Sequence, residues 1–130
     1  MQKRVFDFYE QKNFKALKAE LSNCNEVDIA EIFDECDSKM RVVCFRLLPK
    51  DMAAGVFVEL DDDAQRQLIE QFSDAELSEV INELYVDDAA DIIEEMPANV
   101  VRRILKQTEP QMRKMINDIL KFPRTRQAVL

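Results

Sequence analysis

The stretch DDDAQRQLIEQFSDAELSEVINELYVDDAADIIEEM, residues 61–96, decides the fold, because it contains three consecutive blocks of twelve residues that follow one pattern. The eighth, ninth and twelfth residues of each block are apolar. Extended outward without a gap, the same frame covers eight blocks from Asn25 to Leu120. These positions are apolar in 22 of 24 cases, with exceptions at Thr108 and Asn117. A sustained period of this kind indicates a repeat protein.

Each block predicts one short helix. Residues one, three and four apart share one face of an α-helix, so the three apolar positions form a single stripe. The first position favours a helix start, because Asn, Asp and Ser can accept hydrogen bonds from the exposed N–H groups and Pro fits the opening turn. These first residues are Asn25, Asp37, Pro49, Asp61, Ser73, Tyr85, Pro97 and Glu109. Helices this short depend on burial against their neighbours.

A second period of 24 residues is visible at the fifth position of each block. Alternate blocks have Ile29, Ala53, Leu77 and Val101 there, and the blocks between them have Arg41, Gln65, Ala89 and Arg113. We infer that helices alternate between more and less buried, and that the structural unit is a hairpin of two helices. Stacked hairpins predict an all-α solenoid, a superhelix of short helices.

We expect one domain over residues 1–123, because the chain is too short for two well-formed cores. Apolar residues ahead of the repeat predict one or two capping helices within residues 1–24: Phe8, Phe14, Leu17 and Leu21. The eight units follow over residues 25–120. Pro123 then separates the last helix from a tail, residues 124–130.

The charge of the chain is unevenly distributed. Net charge is −8 overall, but residues 51–95 carry fifteen acids and a single base, Arg66, whereas residues 96–130 carry two acids and eight bases. The acidic segment disfavours nucleic acid as a partner and favours multivalent cations or a basic protein surface. A solvated, solubilising helix face is the simpler alternative. For the basic end, lipid headgroups, another subunit and solvent remain open.

Several features predict a soluble, cytoplasmic protein. No apolar run approaches the roughly 20 residues that span a bilayer, and the N-terminus is charged where a signal peptide is apolar. Cys24, Cys36 and Cys44 are odd in number and lack the CxxC spacing. We interpret them as reduced thiols of the core.

The residue inventory argues against an enzyme. The chain has no histidine and a single glycine, Gly55, so the commonest general base and every glycine-rich phosphate loop are missing. Asp61, Asp62 and Asp63 lack the spacing of a calcium-binding loop and stand where a helix begins. We interpret this triplet as capping residues.

The most suggestive acids lie in the block YVDDAADIIEEM. Asp87 and Asp91 are four residues apart, and Asp88 is three before Asp91, so the three share one helical edge. Like charges at this spacing repel by roughly 0.2–0.5 kcal/mol, which a bound divalent cation or a basic partner would reverse. Magnesium suits such oxygen ligands and commonly uses one or two carboxylates with several waters. An incomplete magnesium site and a solvated acidic helix start are the two alternatives.

Two segments together resemble a known family. FRLLPKDMAAGVFVELDDDAQRQLI, residues 45–69, and INELYVDDAADIIEEMPANVVRRIL, residues 81–105, are similar to the intracellular N-terminal domain of MgtE magnesium transporters. The similarity covers roughly residues 13–123 and ends in ILKFP, residues 119–123. It implies a right-handed superhelix at the inner face of the cell membrane. A pair of CBS modules and a transmembrane transport domain would follow, absent from this chain, and any oligomer would form through the full-length protein.

The resemblance also implies a regulatory function as a magnesium sensor. The family's magnesium-contacting acids fall on Asp87 and Asp91, with Asp88 beside them, and the cation is shared with the CBS or membrane domains. A third acid, present in some members, falls on Gly55, so that ligand is absent here. We therefore expect weak Mg2+ binding at a site that is incomplete in this chain.

A function of another class is a free-standing acidic adaptor that docks a basic protein through its middle. After ILKFP this chain continues as RTRQAVL, whereas family members continue with acidic and small residues. The adaptor needs no metal, and salt should weaken its docking.

Overall fold

The computed structural model describes residues 2–121, which contain ten α-helices and no strand. The helices are α1 (Gln2–Glu10), α2 (Phe14–Ser22), α3 (Glu26–Glu35), α4 (Ser38–Leu47), α5 (Lys50–Glu59), α6 (Asp62–Gln71), α7 (Asp74–Asn82), α8 (Val86–Glu94), α9 (Ala98–Gln107) and α10 (Pro110–Lys121). The all-α prediction is confirmed, and the superhelical arrangement stays a prediction. Pro123 and the predicted tail, residues 124–130, lie outside the described residues.

Each of the eight blocks forms one helix, which begins at the second residue of the block. The first residue caps that helix where its side chain can accept a hydrogen bond from the N–H three positions on. This cap is made by Asn25, Asp37, Asp61 and Ser73. Ser73 also forms a reciprocal capping box with Glu76. Pro49 and Pro97 are N-cap residues just before the opening turn, which corrects their expected place inside it.

The helix spacing extends ahead of Asn25. Helices α1 and α2 begin at Gln2 and Phe14, in the same register of twelve, and Asn13 caps α2. Leu17 and Leu21 are fully buried, but the side chain of Phe14 is 41% exposed. The capping role of residues 1–24 stays a prediction.

The predicted apolar stripe forms the core. The eighth position is buried in every block: Ile32, Cys44, Val56, Leu68, Val80, Ile92, Ile104 and Ile116. Of the two polar exceptions, Asn117 is exposed, whereas Thr108 is buried because its hydroxyl donates a hydrogen bond of 2.7 Å to the Ile104 carbonyl. Burial of a polar group is tolerated when its hydrogen bond is made.

The chain divides into two compact units between Gln71 and Phe72. In the first unit α1 packs on α2, α2 on α4, α3 on α5, and α4 on α6. In the second unit α7 packs on α9, and α8 on α10. Within each unit, helices that begin 24 residues apart are therefore neighbours. The expectation of one domain over residues 1–123 stays a prediction.

The inferred alternation of burial at the fifth position is wrong for two residues. Arg41 and Gln65 are only 8% and 4% exposed, although both are polar. Gln65 Nε2 donates to the Phe57 carbonyl at 2.9 Å, and Arg41 Nε donates to the Phe33 carbonyl at 2.9 Å. Each side chain satisfies a backbone carbonyl near the end of the preceding helix, which removes the cost of burying it.

Two further findings concern composition. Cys24, Cys36 and Cys44 are all buried and none forms a disulfide, so their interpretation as core thiols is confirmed. Among residues 2–121, no helix combines the length and the apolar character that a membrane span requires.

Candidate functional site

Helix α8 presents its acids through a well-anchored apolar face. Ala89, Ala90, Ile92 and Ile93 are buried on that face, and α8 packs on α10. The helix begins without a side-chain cap, because Tyr85 is the N-cap residue and its side chain is 83% exposed. The N-terminal N–H groups therefore rely on other partners.

The three predicted acids occupy the opposite edge of this helix. Asp87 and Asp91 are exposed and Asp88 is half-buried. Asp87 and Asp88 lie in the first turn, where the helix dipole favours negative charge. Asp87 and Asp91 each also take part in an interaction within the fold. The segment Val86–Glu94 contains no basic residue, so α8 itself supplies no cation to these carboxylates.

The acids of α8 fit an open magnesium site better than a closed metal centre. Within residues 2–121, no group of three acidic, cysteine or histidine side chains converges to hold a metal ion. A structural zinc site requires four converging ligands and is not formed there. Carboxylates along one helix supply hard oxygen donors for an ion that keeps most of its waters, as magnesium does.

Gly55 lies where α5 approaches α3. A β-carbon at position 55 would collide with the Glu26 carboxylate, meeting Oε2 and standing 3.1 Å from Oε1. Glu26 is exposed in the first turn of α3. The position where the resemblance places a third acid thus lacks its own side chain, but a carboxylate from the neighbouring helix fills that space.

Sequence reasoning missed this role of Glu26. The signal that could have found it is the single glycine in the interior of a helix. Such a glycine costs about 1 kcal/mol relative to alanine, and one usual reason for it is packing. The identity of the group that fills the space depends on how the two helices pack.

The acidic triplet before α6 has the capping role that was predicted. Asp61 Oδ1 accepts a hydrogen bond of 2.8 Å from the Ala64 N–H. Arg66 lies 3.7 Å from Asp63 and 3.3 Å from Glu70, so a base within the helix offsets part of its acidic charge. These surface pairs add little stability.

The acidic segment as a whole faces outward. None of its fifteen acids is buried, and only Glu76 and Asp88 are half-buried. This distribution agrees with the prediction that the apolar positions form the core while the excess acid lies outside.

One residue of the basic segment has a structural role. The Arg103 guanidinium donates to the Phe72 carbonyl at 2.6 Å and lies 3.1 Å from Asp74 Oδ1. Arg102 and Lys114 are exposed and Arg113 is half-buried.

The fold and the acidic outer edge define a class of protein, a helical-repeat domain built from twelve-residue units. The chain belongs to the family of the MgtE intracellular N domain, whose model matches residues 24–125.

A solved structure described as the cytosolic domain of the Mg2+ channel MgtE in complex with ATP is similar to this chain. The TM-score is 0.79 at 25% sequence identity, over 90% of this chain and 48% of that one. The chain thus spans about half the length of the solved relative. No curated protein sequence matches this chain.

Proposed function

We propose that this chain is a cytoplasmic, non-enzymatic regulatory domain of an MgtE-type transporter and that it senses magnesium. The observation that carries the proposal is the exposed acidic edge of α8, formed by Asp87, Asp88 and Asp91, in a member of the MgtE intracellular N domain family. The edge has oxygen donors of the type that magnesium prefers.

The open geometry of this edge makes weak binding the expected behaviour. Two or three carboxylates on one helix leave most of the coordination shell to water, so the chain alone holds the ion loosely. The cation nevertheless relieves the repulsion between carboxylates four residues apart. Binding is strengthened when another domain contributes further oxygen ligands.

Sensing follows from this sharing of ligands. In the proposed transporter, CBS modules or the membrane domain complete the coordination, so a bound ion links them to this domain. When magnesium falls, the carboxylates repel and the link is lost. Because binding and domain contact are coupled, each strengthens the other to the same extent.

Glu26 is a further candidate ligand under this proposal. Its carboxylate fills the space of a side chain at Gly55, the position to which the resemblance assigns an additional acid. The substitution Gly55→Asp would therefore force Glu26 to move. Glu26→Gln is the milder test, because it keeps the shape and removes the charge.

The test is a titration of the 130-residue chain with magnesium, followed by amide NMR shifts. We expect millimolar, saturable shifts centred on Val86–Glu94 and none in a potassium titration of matched ionic strength. The double substitution Asp87→Asn with Asp91→Asn should abolish them. Glu94→Gln with Glu95→Gln is the matched control, since it removes the same charge from the other end of α8.

Two outcomes would sink the proposal. One is the absence of magnesium-specific shifts in α8. The other is a set of shifts that survives removal of Asp87 and Asp91.

The exposure of all fifteen acids supports a second candidate, an adaptor that docks a basic protein. A lysine-rich peptide is a suitable probe, with binding measured by calorimetry at increasing NaCl. The adaptor predicts affinity that falls with ionic strength and ignores magnesium beyond its ionic contribution. Salt-independent binding, or no binding at low salt, would contradict it.

A further inference from the structure

Cys36 and Cys44 form a buried thiol pair in the first unit. Cys36 is the C-cap residue of α3, and Cys44 lies within α4. The Cys44 thiol donates a hydrogen bond to the Cys36 sulfur, and the Cys36 thiol donates to the Ile32 carbonyl at 3.3 Å. The two side chains are 5% and 0% exposed. The sulfurs are therefore already in contact, with the core around them.

A buried guanidinium stands beside this pair. Arg41 donates to the Cys36 carbonyl at 2.8 Å and to the Phe33 carbonyl at 2.9 Å, which fixes its charge near the sulfur. The hydrogen bond from Cys44 and the Arg41 charge together lower the pKa of Cys36. The same hydrogen bond, with burial, raises the pKa of Cys44. One thiol is thus activated as a nucleophile and the other keeps its proton.

Cys24 provides an internal contrast at nearly equal burial. Its side chain is 6% exposed, against 5% for Cys36. Burial raises the pKa of Cys24, and the nearby acids Glu20 and Asp28 raise it further. Any difference in reactivity between Cys24 and Cys36 therefore reports their electrostatic surroundings rather than their exposed area.

We propose that Cys36 and Cys44 are a redox-active thiol pair that forms an intramolecular disulfide when the protein meets a peroxide. The Cys36 thiolate attacks one peroxide oxygen and the O–O bond breaks. This leaves a sulfenic acid on Cys36 and a hydroxide that takes up a proton to become water. The Cys44 sulfur then attacks the Cys36 sulfur, and the oxygen departs with the Cys44 proton as a second water. The two sulfurs together lose two electrons to one peroxide molecule.

Helix α1 controls access to the pair. Burial, followed by the charges of Asp37, Cys44 and Cys36, raises the pKa of the Tyr9 phenol, so this side chain of α1 lies near the thiols. Terminal helices open more readily than the middle of a fold. Opening of α1 admits a small peroxide without unfolding the repeats. This reactivity does not depend on magnesium binding.

The experiment is treatment of the 130-residue chain with hydrogen peroxide, followed by quenching, alkylation under denaturing conditions and intact-mass measurement. We expect a species about 2 Da lighter before alkylation, as two hydrogens are lost, that takes up alkylating reagent only at Cys24. Peptide mapping should locate the bond between Cys36 and Cys44. Reduction with dithiothreitol should restore all three thiols.

Single substitutions separate the two roles. Cys44→Ala should leave a sulfenic acid on Cys36 that dimedone traps, and Cys24→Ser should form the disulfide normally. Far-UV circular dichroism checks that each variant is folded. Consumption of Cys24 as fast as Cys36, or retention of three alkylatable thiols after peroxide, would overturn the proposal. We expect Cys36 to react at least about tenfold faster than Cys24.

Discussion

Helices α6 and α8 begin 24 residues apart and both open with acidic runs, but they use equivalent positions differently. At the first position Asp61 caps α6, whereas Tyr85 makes no cap on α8. At the fifth, Gln65 in α6 donates to a backbone carbonyl, and α8 has alanine. At the seventh, Gln67 accepts a hydrogen bond of 2.7 Å from Arg41, and α8 has the exposed Asp91.

The difference separates acids that build the fold from acids that only charge its surface. The polar groups of α6 are matched by backbone donors, backbone acceptors or bases in the first unit. In α8 the equivalent positions provide no side-chain cap and no internal base. A shared repeat position therefore fixes where a side chain points, and the chemistry of the residue there determines whether it serves stability or binding.

The largest expected effect is at the fifth position. Gln65→Ala leaves the buried Phe57 carbonyl without its donor, which should lower the free energy of unfolding by about 1–3 kcal/mol. Urea denaturation measures this loss. Gln71→Ala, an exposed change on the same helix, should stay within about 0.5 kcal/mol. Equal losses for the two variants would mean that the buried hydrogen bond is unimportant.

The first turns of the two helices should respond differently to loss of an aspartate. Asp61→Ala removes a cap and should cost about 1 kcal/mol. Asp87→Ala removes no cap and relieves repulsion with Asp91, so its cost should stay below about 0.5 kcal/mol. Thermal unfolding of the two variants under identical conditions makes the comparison. A larger loss for Asp87→Ala would reverse the roles assigned to these residues.

The missing cap on α8 can be supplied. Tyr85→Ser places a hydroxyl at the N-cap position, and little buried surface is lost because the Tyr85 side chain is 83% exposed. The variant should gain about 0.5 kcal/mol in urea denaturation. Tyr85→Ala is the control, since it removes the ring without adding an acceptor. If the alanine variant is equally stable, the cap is not responsible.

The smallest effect concerns a neighbour of the α6 cap. Burial, with the charge of Asp61, raises the pKa of Asp34, although Arg41 partly opposes this. The folded state therefore binds the proton more tightly, and the contribution of Asp34 to stability is lost as pH rises from about 3.8 through its folded-state pKa. Asp34→Asn should stabilise the protein slightly at pH 7 and not below pH 3. Destabilisation at pH 7 would contradict this sign.

Much of the fold could be predicted because apolar spacing alone determines it. Positions eight, nine and twelve lie on one helical face in any sequence, so the helix starts and most of the core followed directly. The burial of Arg41 and Gln65 could not be predicted in this way. A polar residue is taken as exposed unless the carbonyl that receives its hydrogen bond is known, and that carbonyl belongs to another helix.

The candidate site was partly predictable for the same reason. Spacing alone puts Asp87, Asp88 and Asp91 on one edge of a helix. The contact between Glu26 and Gly55 depends on the approach of α5 to α3, which sequence spacing does not give. Cation binding depends further on ligands that other domains would contribute, and no pattern in this chain encodes them.

The most direct test of the account compares α8 with α6 in one sample. Manganese takes the same oxygen ligands as magnesium, and its unpaired electrons broaden nearby amide signals. With substoichiometric Mn2+, we predict broadening in Val86–Glu94 before Asp62–Gln71, reversed by excess Mg2+. Equal or earlier broadening of α6, despite its cap and Arg66, would contradict the claim that the acids of α8 form the metal site.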